Sequence, residues 1–396
     1  MIERFYWEKA LISLSEHWRL TCMLGARQVG KSTFLRPQGA FYSFDDEKLR
    51  TLVKKDPLHW LQEQLQASKR IILDEATRLP SLFEAMKIIV DQNPNDKGRI
   101  WFASSSNYQL IKKIEESLAG RVFIYAASPL LVSEVVNNET PTFLEWLHEK
   151  KIKSFYRDEH HLIEKVLEKS LFPEPFLSQD RFFSKQWLEQ YITTYLLRDL
   201  VENFPKVDFS KWQEFIKIFL SYPASTLSMN RLGQSIGVHH ATIKEYIKIS
   251  QAALICFRLP IYSKSTLKRL VKSEKYVMID SALCKAYHAH ISSGVLFENF
   301  IISQIIYLLN ATLASSNFFH WRTEDGAEVD LVLEGDFGVI PIEIKQGTKI
   351  SKNMFSGLNS FLDAHPRVKR ALLFYEGSKT ERYEKIHVLP VATLFL

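Results

Sequence analysis

The sequence predicts an α/β protein of several domains, and three stretches carry that prediction. An apolar run at 20–24 leads through a glycine-rich loop into a helix, and a second apolar run at 71–73 ends in two acids. Such short apolar runs are typical of parallel strands buried on both faces. An apolar helix at 294–309 then precedes two short strands joined by a Gly-rich turn within 326–347. For 396 residues, at roughly 100–200 residues per domain, we expect two or three domains.

The composition is that of an ordinary globular protein. Hydrophobic residues make up 46% of the chain, charged residues 24% and aromatic residues 13%. The net charge is +6, from 51 basic and 45 acidic residues, which is compatible with a polyanionic partner but does not indicate one. The three cysteines are far apart and match no zinc-binding spacing: Cys22, Cys256 and Cys284. We therefore expect reduced, structural thiols in a cytoplasmic protein.

Two segments bear on targeting and on membranes. The first residues, MIERFYWEKALISL, lack the basic-then-apolar order of a signal peptide. The most apolar long window, 295–313, contains Glu298, Asn299 and Gln304, so it is too polar for a predicted membrane span. We expect no membrane partner.

A phosphate-binding loop is predicted at 25–32. These residues, GARQVGKS, fit G-x-x-x-x-G-K-[ST] at every fixed position. The glycines let backbone N–H groups point at phosphate oxygens, and a helix starting near Lys31 adds the positive end of its dipole. Lys31 would neutralise the β- and γ-phosphates and act in catalysis, and the Ser32 hydroxyl would complete a Mg²⁺ site. A chance Gly-rich turn is the alternative, but the order of strand, loop and helix argues against it. The predicted ATP-binding residues of the loop are Gly25, Ala26, Gln28, Val29, Gly30, Lys31, Ser32 and Thr33.

The stretch KRIILDEATRLP at 69–80 predicts the other half of this site. Asp74 follows the apolar run where a carboxylate can hold magnesium, and Glu75 lies where it can polarise an attacking water. The alternative is that these residues form an ordinary solvated turn after a strand. Together with the phosphate loop, the paired acids favour ATP hydrolysis over binding alone.

Two further residues are candidates for contact with the γ-phosphate. Ser105 ends a predicted strand in 99–110, where it could sense that phosphate, or it could belong to a Ser-rich turn that caps the next helix. Arg121 could be an arginine finger or sensor, or a surface arginine at the start of a strand. If Arg121 acts in trans, the protein forms a ring or dimer, so a homo-oligomer is one of our expectations.

The middle of the chain predicts helices followed by a winged helix-turn-helix. Residues 131–222 read mostly as helices with apolar positions at three-and-four spacing. Within 225–275, two helices flank Gly237 and a β-hairpin follows. The second helix offers the basic residues His240, Lys244 and Lys248. The presumed wing adds a basic run that suits phosphate contacts: Lys264, Lys268, Arg269, Lys272 and Lys275. A winged helix used for protein contacts, or as an ATPase lid, is the alternative.

The helix and hairpin near the C-terminal end predict a metal-dependent nuclease-like centre. Glu343 and Lys345 alternate along one strand and so share a face, and Asp330 lies on the partner strand. Glu298 lies inside an apolar helix, where a carboxylate without a partner is costly. We predict Glu298, Asp330 and Glu343 as metal ligands and Lys345 as a catalytic cation. A solvated Glu343–Lys345 salt bridge, with Glu298 paired to Arg322, is the alternative.

These stretches together resemble a family of prokaryotic AAA-type ATPases with a C-terminal domain of unknown function. The stretches that carry the resemblance are GARQVGKST, LDEA, SLAGR, TYLLRDL, the helix-turn-helix, LFENFIISQI, WRTEDGAEVDLV and IPIEIKQG. The resemblance implies a P-loop AAA-type ATPase with a parallel sheet, a helical lid and a winged helix, and then a smaller α/β PD-(D/E)XK nuclease-like domain. It assigns ATP and Mg²⁺ as ligands of the first domain. One departure is the run Ala103-Ser104-Ser105-Ser106, where the family usually has Thr-Gly-Ser-Ser.

We therefore predict four segments and two competing functions. The segments are an ATPase core at 1–130, a helical lid or linker at 131–222, a winged helix at 223–278 and a nuclease-like domain at 279–396. The first function is ATP binding and hydrolysis coupled to nucleic acid, with DNA favoured over RNA. The second is an ATP-switched regulatory or scaffold protein, whose nuclease-like domain is inactive and binds a protein partner.

Overall fold

The computed structural model describes residues 2–105, 117–148, 160–200, 204, 206–263, 274–288 and 290–396. They form two compact units. The N-terminal unit comprises 3–130 with 252–254, and the C-terminal unit comprises 131–251 and 255–396, together with Ile2. The division after 130 lies where the sequence predicts the end of the ATPase core, and the other three segments, which stay predictions, lie in the C-terminal unit except for 252–254.

The N-terminal unit is built on a parallel sheet with strand order β2-β3-β4-β1-β5. The strands are β1 (Leu20–Gly25), β2 (Ala40–Ser43), β3 (Ile71–Asp74), β4 (Ile100–Ser104) and β5 (Val122–Ala127). The helices are α1 (Phe5–His17), α2 (Lys31–Leu35), α3 (Glu47–Lys55), α4 (Pro57–Ala67) and α5 (Ser81–Gln92). The central strands β1, β3 and β4 are buried along their whole length, which explains their continuous apolar runs.

The register of this sheet places all its carboxyl ends at one edge. β1 pairs in parallel with β4 on one side, Leu20 opposite Ile100, and with β5 on the other, Leu20 opposite Val122. β3 pairs in parallel with β4 and with β2. Because every strand runs the same way, the residues that follow β1, β3 and β4 meet at the same edge.

The C-terminal unit begins with helices. They are α6 (Val132–Val135), α7 (Thr142–Leu147), α8 (His160–Lys169), α9 (Pro173–Leu177), α10 (Arg181–Gln190), which continues as a π-helix over Tyr191–Asp199, and α11 (Phe209–Leu220). Trp212 and Phe215 on α11 are fully buried and pack against Tyr246. The helical periodicity of α11 is therefore the signature of a packed core face.

A helix-turn-helix and a small sheet follow α11. The elements are β6 (Ser225–Thr226), α12 (Met229–Ile236), α13 (His240–Ala252), β7 (Cys256–Leu259) and β8 (Lys275–Met278). Gly237 ends α12 with a φ of 74°, a left-handed conformation that favours glycine and turns the chain toward α13. β8 lies in the middle of the antiparallel order β6-β8-β7. The other four predicted wing cations, at 264, 268, 269 and 272, lie outside the described residues.

The last part of the chain is a six-stranded mixed sheet with order β13-β14-β12-β11-β10-β9. Its strands are β9 (Ser316–Arg322), β10 (Glu328–Gly335), β11 (Gly338–Lys345), β12 (Ala371–Tyr375), β13 (Glu381–Tyr383) and β14 (Ile386–Pro390). Its helices are α14 (Ser281–Tyr287), α15 (Ser293–Ala311) and α16 (Ser356–Ala364). The predicted hairpin is present as β10 and β11, with Leu331 opposite Ile342, and β11 pairs in parallel with β12.

The helix α15 is the most apolar long helix of the described chain. Its length and composition would suffice to cross a bilayer, but 78% of its most apolar window is buried inside the protein. Its Asn299 side chain accepts from Met278 N at 2.7 Å and donates to Met278 O at 3.1 Å. These two bonds hold α15 against β8, so the burial of α15 is that of a core helix.

Candidate functional site

The phosphate loop lies at the carboxyl edge of the parallel sheet, between β1 and α2. Gly30 has a φ of 99°, which only glycine adopts readily, and Gln28 also lies in the left-handed region with a φ of 64°. A Cβ on Gly25 would come within 2.7 Å of Ala127 O, so a side chain there would clash with the backbone of the last residue of β5. Two other residues of the loop, Ala26 and Val29, are buried. The two fixed glycines of the motif, Gly25 and Gly30, are therefore required by the backbone itself.

Lys31 is buried inside this loop. Its Nζ donates to Gly25 O at 2.7 Å and to Ala26 O at 2.9 Å. Burial lowers the pKa of Lys31 to about 8, although the charges of Glu75 and Asp74 oppose that shift. The ammonium lies where the phosphates of a nucleotide in the loop would need a positive charge.

Asp74 and Ser32 form the candidate magnesium site. Asp74 ends β3, and Ser32 lies on α2 at the end of the phosphate loop. Burial raises the pKa of Asp74, and the Ser32 hydroxyl opposes that shift. Among the described residues, Oδ1 of Asp74 is buried and has no hydrogen-bond partner. An orphaned carboxylate oxygen beside a hydroxyl is the donor set that Mg²⁺ prefers, so these residues fit that ion.

Glu75 lies next to Asp74 at the same edge. It has a φ of 49°, and its Oε2 accepts a hydrogen bond from Ser105 N at 3.3 Å. Ser105 follows β4, so the structure brings this predicted sensor to Glu75 through its backbone. The neighbouring Ser104 hydroxyl lies 3.1 Å from the Thr77 hydroxyl. The residues after Ser105, 106–116, lie outside the described part of the chain.

Arg121 lies at the amino ends of the strands, whereas the phosphate loop lies at their carboxyl ends. It directly precedes β5, whose first residue pairs with Leu20 at the start of β1. Its guanidinium donates to both carboxylate oxygens of Asp91, each at 2.7 Å. Arg121 cannot reach a nucleotide bound in its own chain, because the length of β1 separates them. A role in trans stays a prediction.

A second cluster of charges lies in the C-terminal unit, where α15 meets β10 and β11. Ile344 N donates to Oδ2 of Asp330 at 2.8 Å, and Lys345 Nζ lies 2.5 Å from Oε1 of Glu343. Asp330 and Glu343 are buried, and Oε2 of Glu343 has no hydrogen-bond partner among the described residues. Burial and the charge of Asp330 raise the pKa of Glu343 to about 8 and that of Glu298 to about 7. The predicted nuclease-like residues therefore influence one another electrostatically.

The predicted surface role of Lys275 in a basic wing is wrong. Lys275 is only 7% exposed, and its Nζ forms a short contact with Oε1 of Glu298. The same Nζ donates to Asp330 O at 3.2 Å and lies 3.8 Å from Oδ1 of Asp330. Arg322, the alternative partner considered for Glu298, lies instead 3.9 Å from Glu328. Lys275 is thus a member of the acidic cluster that the sequence pattern did not reveal.

The donor set of this cluster does not fit a resident divalent cation. Glu298 and Asp330, two of its three carboxylates, already contact the Lys275 ammonium, and the third, Glu343, contacts Lys345. Within the described ranges, no group of three or more His, Cys, Asp or Glu side chains is arranged to hold a metal ion. The predicted metal ligands Glu298, Asp330 and Glu343 are therefore brought together, but around lysines.

The helix-turn-helix presents a basic face on α13. His240, Lys244 and Lys248 follow one another at four-residue spacing and are all exposed. The opposite face, with Ile243, Tyr246 and Ile247, is buried. This helix therefore has a packed side and a cationic side.

Comparisons with known proteins divide the chain into three parts. Residues 17–136 match the model of an AAA domain. Residues 160–293 match a domain of unknown function (DUF8612), and residues 293–394 match another domain of unknown function (DUF4143). Uncharacterized proteins of Mycobacterium bovis and Mycobacterium tuberculosis are each 27% identical over 351 residues, which cover 85% of this chain and 73% of the relative.

Similar solved structures include RuvB from Thermotoga maritima and a DNA replication initiation factor. RuvB is 17% identical, with a TM-score of 0.30 over 68% of this chain and 95% of its own. The initiation factor is 14% identical, with a TM-score of 0.24 over 72% of this chain and 92% of its own. Both TM-scores are low, so the first domain is identified by the family model and the phosphate loop and not by these two structures. Residues 17–136 are therefore an AAA domain with a P-loop for a nucleotide, and two domains of unknown function follow it along the chain.

Proposed function

We propose that this protein binds ATP with magnesium at the phosphate loop and hydrolyses it. One observation carries the proposal: Asp74 ends β3 beside the phosphate loop that carries Ser32, its buried Oδ1 has no partner among the described residues, and Glu75 follows directly. Nucleotide binding needs the loop and its lysine. Hydrolysis also needs an acid beside the attacking water, and Glu75 supplies it.

The protein's own residues act by position and charge. Backbone N–H groups of the loop and the Lys31 ammonium hold the phosphates. A magnesium ion held by Ser32 and Asp74 would neutralise charge on the β- and γ-phosphates. Glu75 orients and polarises the water that attacks the γ-phosphorus, and the hydrogen bond from Ser105 N fixes the direction of its carboxylate. The products are ADP and inorganic phosphate.

The test is to measure ATP hydrolysis and nucleotide binding for the wild type and for Lys31→Ala. Loss of this cation is expected to lower the rate by roughly 10²–10³-fold. Lys54→Ala, which removes an exposed lysine of α3, is the matched control and is expected to keep the wild-type rate. Equal rates for the wild type and Lys31→Ala would rule out hydrolysis at this loop.

We further infer that the C-terminal unit contacts nucleic acid, DNA rather than RNA, through the helix-turn-helix. The supporting observations are the exposed lysines Lys244 and Lys248 on α13, with His240 exposed on the same face, and the element order α11-β6-α12-α13-β7-β8 with β8 central, which suits a winged helix. The hairpin β10–β11, with the helix α15 before it, suits a nuclease-like fold. The proposal includes no cleavage of nucleic acid, because Lys275 contacts two of the three carboxylates that cleavage would use.

DNA stimulation of ATP hydrolysis separates the two functional classes. A DNA-coupled ATPase is expected to turn over ATP faster when double-stranded DNA is added, and Lys244→Ala/Lys248→Ala is expected to lose the stimulation but keep the basal rate. An ATP-switched regulatory or scaffold protein would show no response to DNA at any salt concentration. That result would favour a protein partner for the C-terminal unit.

A further inference from the structure

The acidic cluster of the C-terminal unit is assembled around a lysine from a distant part of the chain. Glu298 comes from α15, Asp330 from β10 and Glu343 from β11, whereas Lys275 is the first residue of β8. The three carboxylates are oxygen donors of the kind that Mg²⁺, Ca²⁺ and Mn²⁺ take in proteins. Oε2 of Glu343, on a residue only 4% exposed, has no hydrogen-bond partner among the described residues.

The backbone of β8 fixes the Lys275 ammonium in this cluster. Lys275 pairs with Thr226 of β6 on one side and with Leu259 of β7 on the other. Three residues on, Met278 is bound through both its N–H and its carbonyl to Asn299, the neighbour of Glu298 on α15. The side chains of Lys275 and Glu298 therefore approach from two elements that are clamped together.

The Lys275 ammonium makes the contacts that a bound cation would make. It contacts Oε1 of Glu298, donates to the main-chain oxygen of Asp330 at 3.2 Å and lies 3.8 Å from Oδ1 of the same residue. A carboxylate, a main-chain carbonyl and a second carboxylate form the kind of oxygen set that surrounds hard divalent cations. A divalent ion placed on Glu298 and Asp330 would lie beside this buried ammonium and be repelled by it.

We propose that Lys275 is the resident cation of this cluster, and that its ammonium takes the place of a divalent ion among Glu298, Asp330 and Glu343. The wild-type protein does not take a divalent ion there, and neutralising Lys275 frees these carboxylates to bind one. This inference depends neither on ATP hydrolysis nor on DNA binding, since it concerns only the contacts of the C-terminal unit.

The test is a titration with Mn²⁺ in the absence of nucleotide, followed by electron paramagnetic resonance of the free ion. All proteins carry Asp74→Asn, so that the acid of the phosphate loop cannot contribute. Lys275→Met retains the buried stem and removes the charge. It is expected to bind one more Mn²⁺ than the parent, at least roughly tenfold more tightly than any site of the parent. Adding Asp330→Asn to Lys275→Met is expected to remove that ion again.

Two measurements keep the proposal falsifiable if Lys275→Met folds poorly. Lys275→Gln is neutral and can still donate to Glu298, so it is expected to show the same additional site with a native circular dichroism spectrum. The second measurement uses the parent protein, in which the cluster is unchanged. Its melting temperature is expected to be the same in millimolar Mn²⁺ and in EDTA. A parent protein stabilised by Mn²⁺, with the effect lost on Asp330→Asn, would overturn the proposal. So would folded Lys275 variants that bind no additional ion.

Discussion

At the scale of single residues, the backbone of Glu75 is strained where its carboxylate is needed. Its φ of 49° is uncommon for a residue with a long side chain, and its Oε2 is held by Ser105 N at 3.3 Å. Such a conformation costs of the order of 1 kcal/mol and persists where the surrounding structure enforces it. At the edge that carries the phosphate loop, the position of Glu75 suits a group that orients water.

Replacing Glu75 by glutamine should separate binding from turnover. Glu75→Gln keeps the shape of the side chain but cannot accept a proton, so we expect nucleotide affinity close to that of the wild type and ATP hydrolysis lower by about 10²–10⁴-fold. Single-turnover hydrolysis and equilibrium binding of a fluorescent ATP analogue check this. Glu63→Gln, at an exposed position of α4, serves as the control. If Glu75→Gln hydrolyses ATP at the wild-type rate, a group other than Glu75 polarises the attacking water.

Residues with a fixed local motif could be predicted from the sequence, and residues brought together by the fold could not. Lys31 and Ser32 could be predicted because they belong to one contiguous motif. Asp74 could be predicted because it directly follows an apolar run. Lys275 lies 23 residues before its partner Glu298, within a basic run that is typical of solvated surface. Two signals were available: the apolar residues YVM directly after Lys275 indicate a buried strand, and Glu298 in an apolar helix needs a cation.

The position of Arg121 was open to a similar argument. A residue directly before a parallel strand lies at the amino edge of the sheet, whereas the phosphate loop lies at the carboxyl edge. The sequence contains the order of the strands along the chain but not which of them are neighbours. Only the parallel pairing of β5 with β1 shows that this rule applies to Arg121, which lies at the amino edge beside Asp91.

At the scale of elements, the packing of α16 against β10 depends on one glycine. A Cβ on Gly357, the second residue of α16, would come within 2.0 Å of Glu328 O and within 3.4 Å of Oε2 of Glu343. The helix therefore lies against the strand that carries Asp330 at a distance that no side chain permits. This close approach also fixes one wall of the acidic cluster.

Gly357→Ala is accordingly expected to destabilise the C-terminal unit. The clash is with backbone, so we expect a loss of about 1–3 kcal/mol in the free energy of unfolding, measured by denaturation in urea. The matched control is Gly294→Ala, at the second position of α15, where an added Cβ meets its nearest neighbour at 3.8 Å. That change should be neutral or stabilise by up to about 1 kcal/mol. A loss for Gly294→Ala as large as that for Gly357→Ala would contradict this account.

The types of the elements were more predictable than their partners. The helix-turn-helix and the hairpin β10–β11 could be predicted because their turn residues and periodicities are local. The parallel pairing of β11 with β12 could not, because α16 and its flanking loops separate these strands in sequence. The place of β8 between β6 and β7, which directs Lys275 into the cluster, also depends on pairing across long stretches of chain.

At the scale of the whole molecule, the net charge of +6 does not say where a polyanion would bind. One of its lysines, Lys275, is buried against acids, and another, Lys31, lies inside the phosphate loop. The cations exposed on α13 are a small part of the total. A test of the proposed DNA contact must therefore distinguish a local surface from general attraction by a basic protein.

The salt dependence of DNA binding makes that distinction. Each lysine that neutralises a phosphate contributes close to one unit to the slope of log affinity against log salt concentration. We expect Lys244→Ala/Lys248→Ala to weaken binding and to reduce the slope by about 2. Lys54→Ala/Lys55→Ala removes the same charge from exposed positions of α3 and should leave the slope unchanged. Fluorescence anisotropy of a labelled duplex over a series of salt concentrations measures both. If the two double variants reduce the slope equally, the attraction comes from net charge and the helix-turn-helix is not the contact surface.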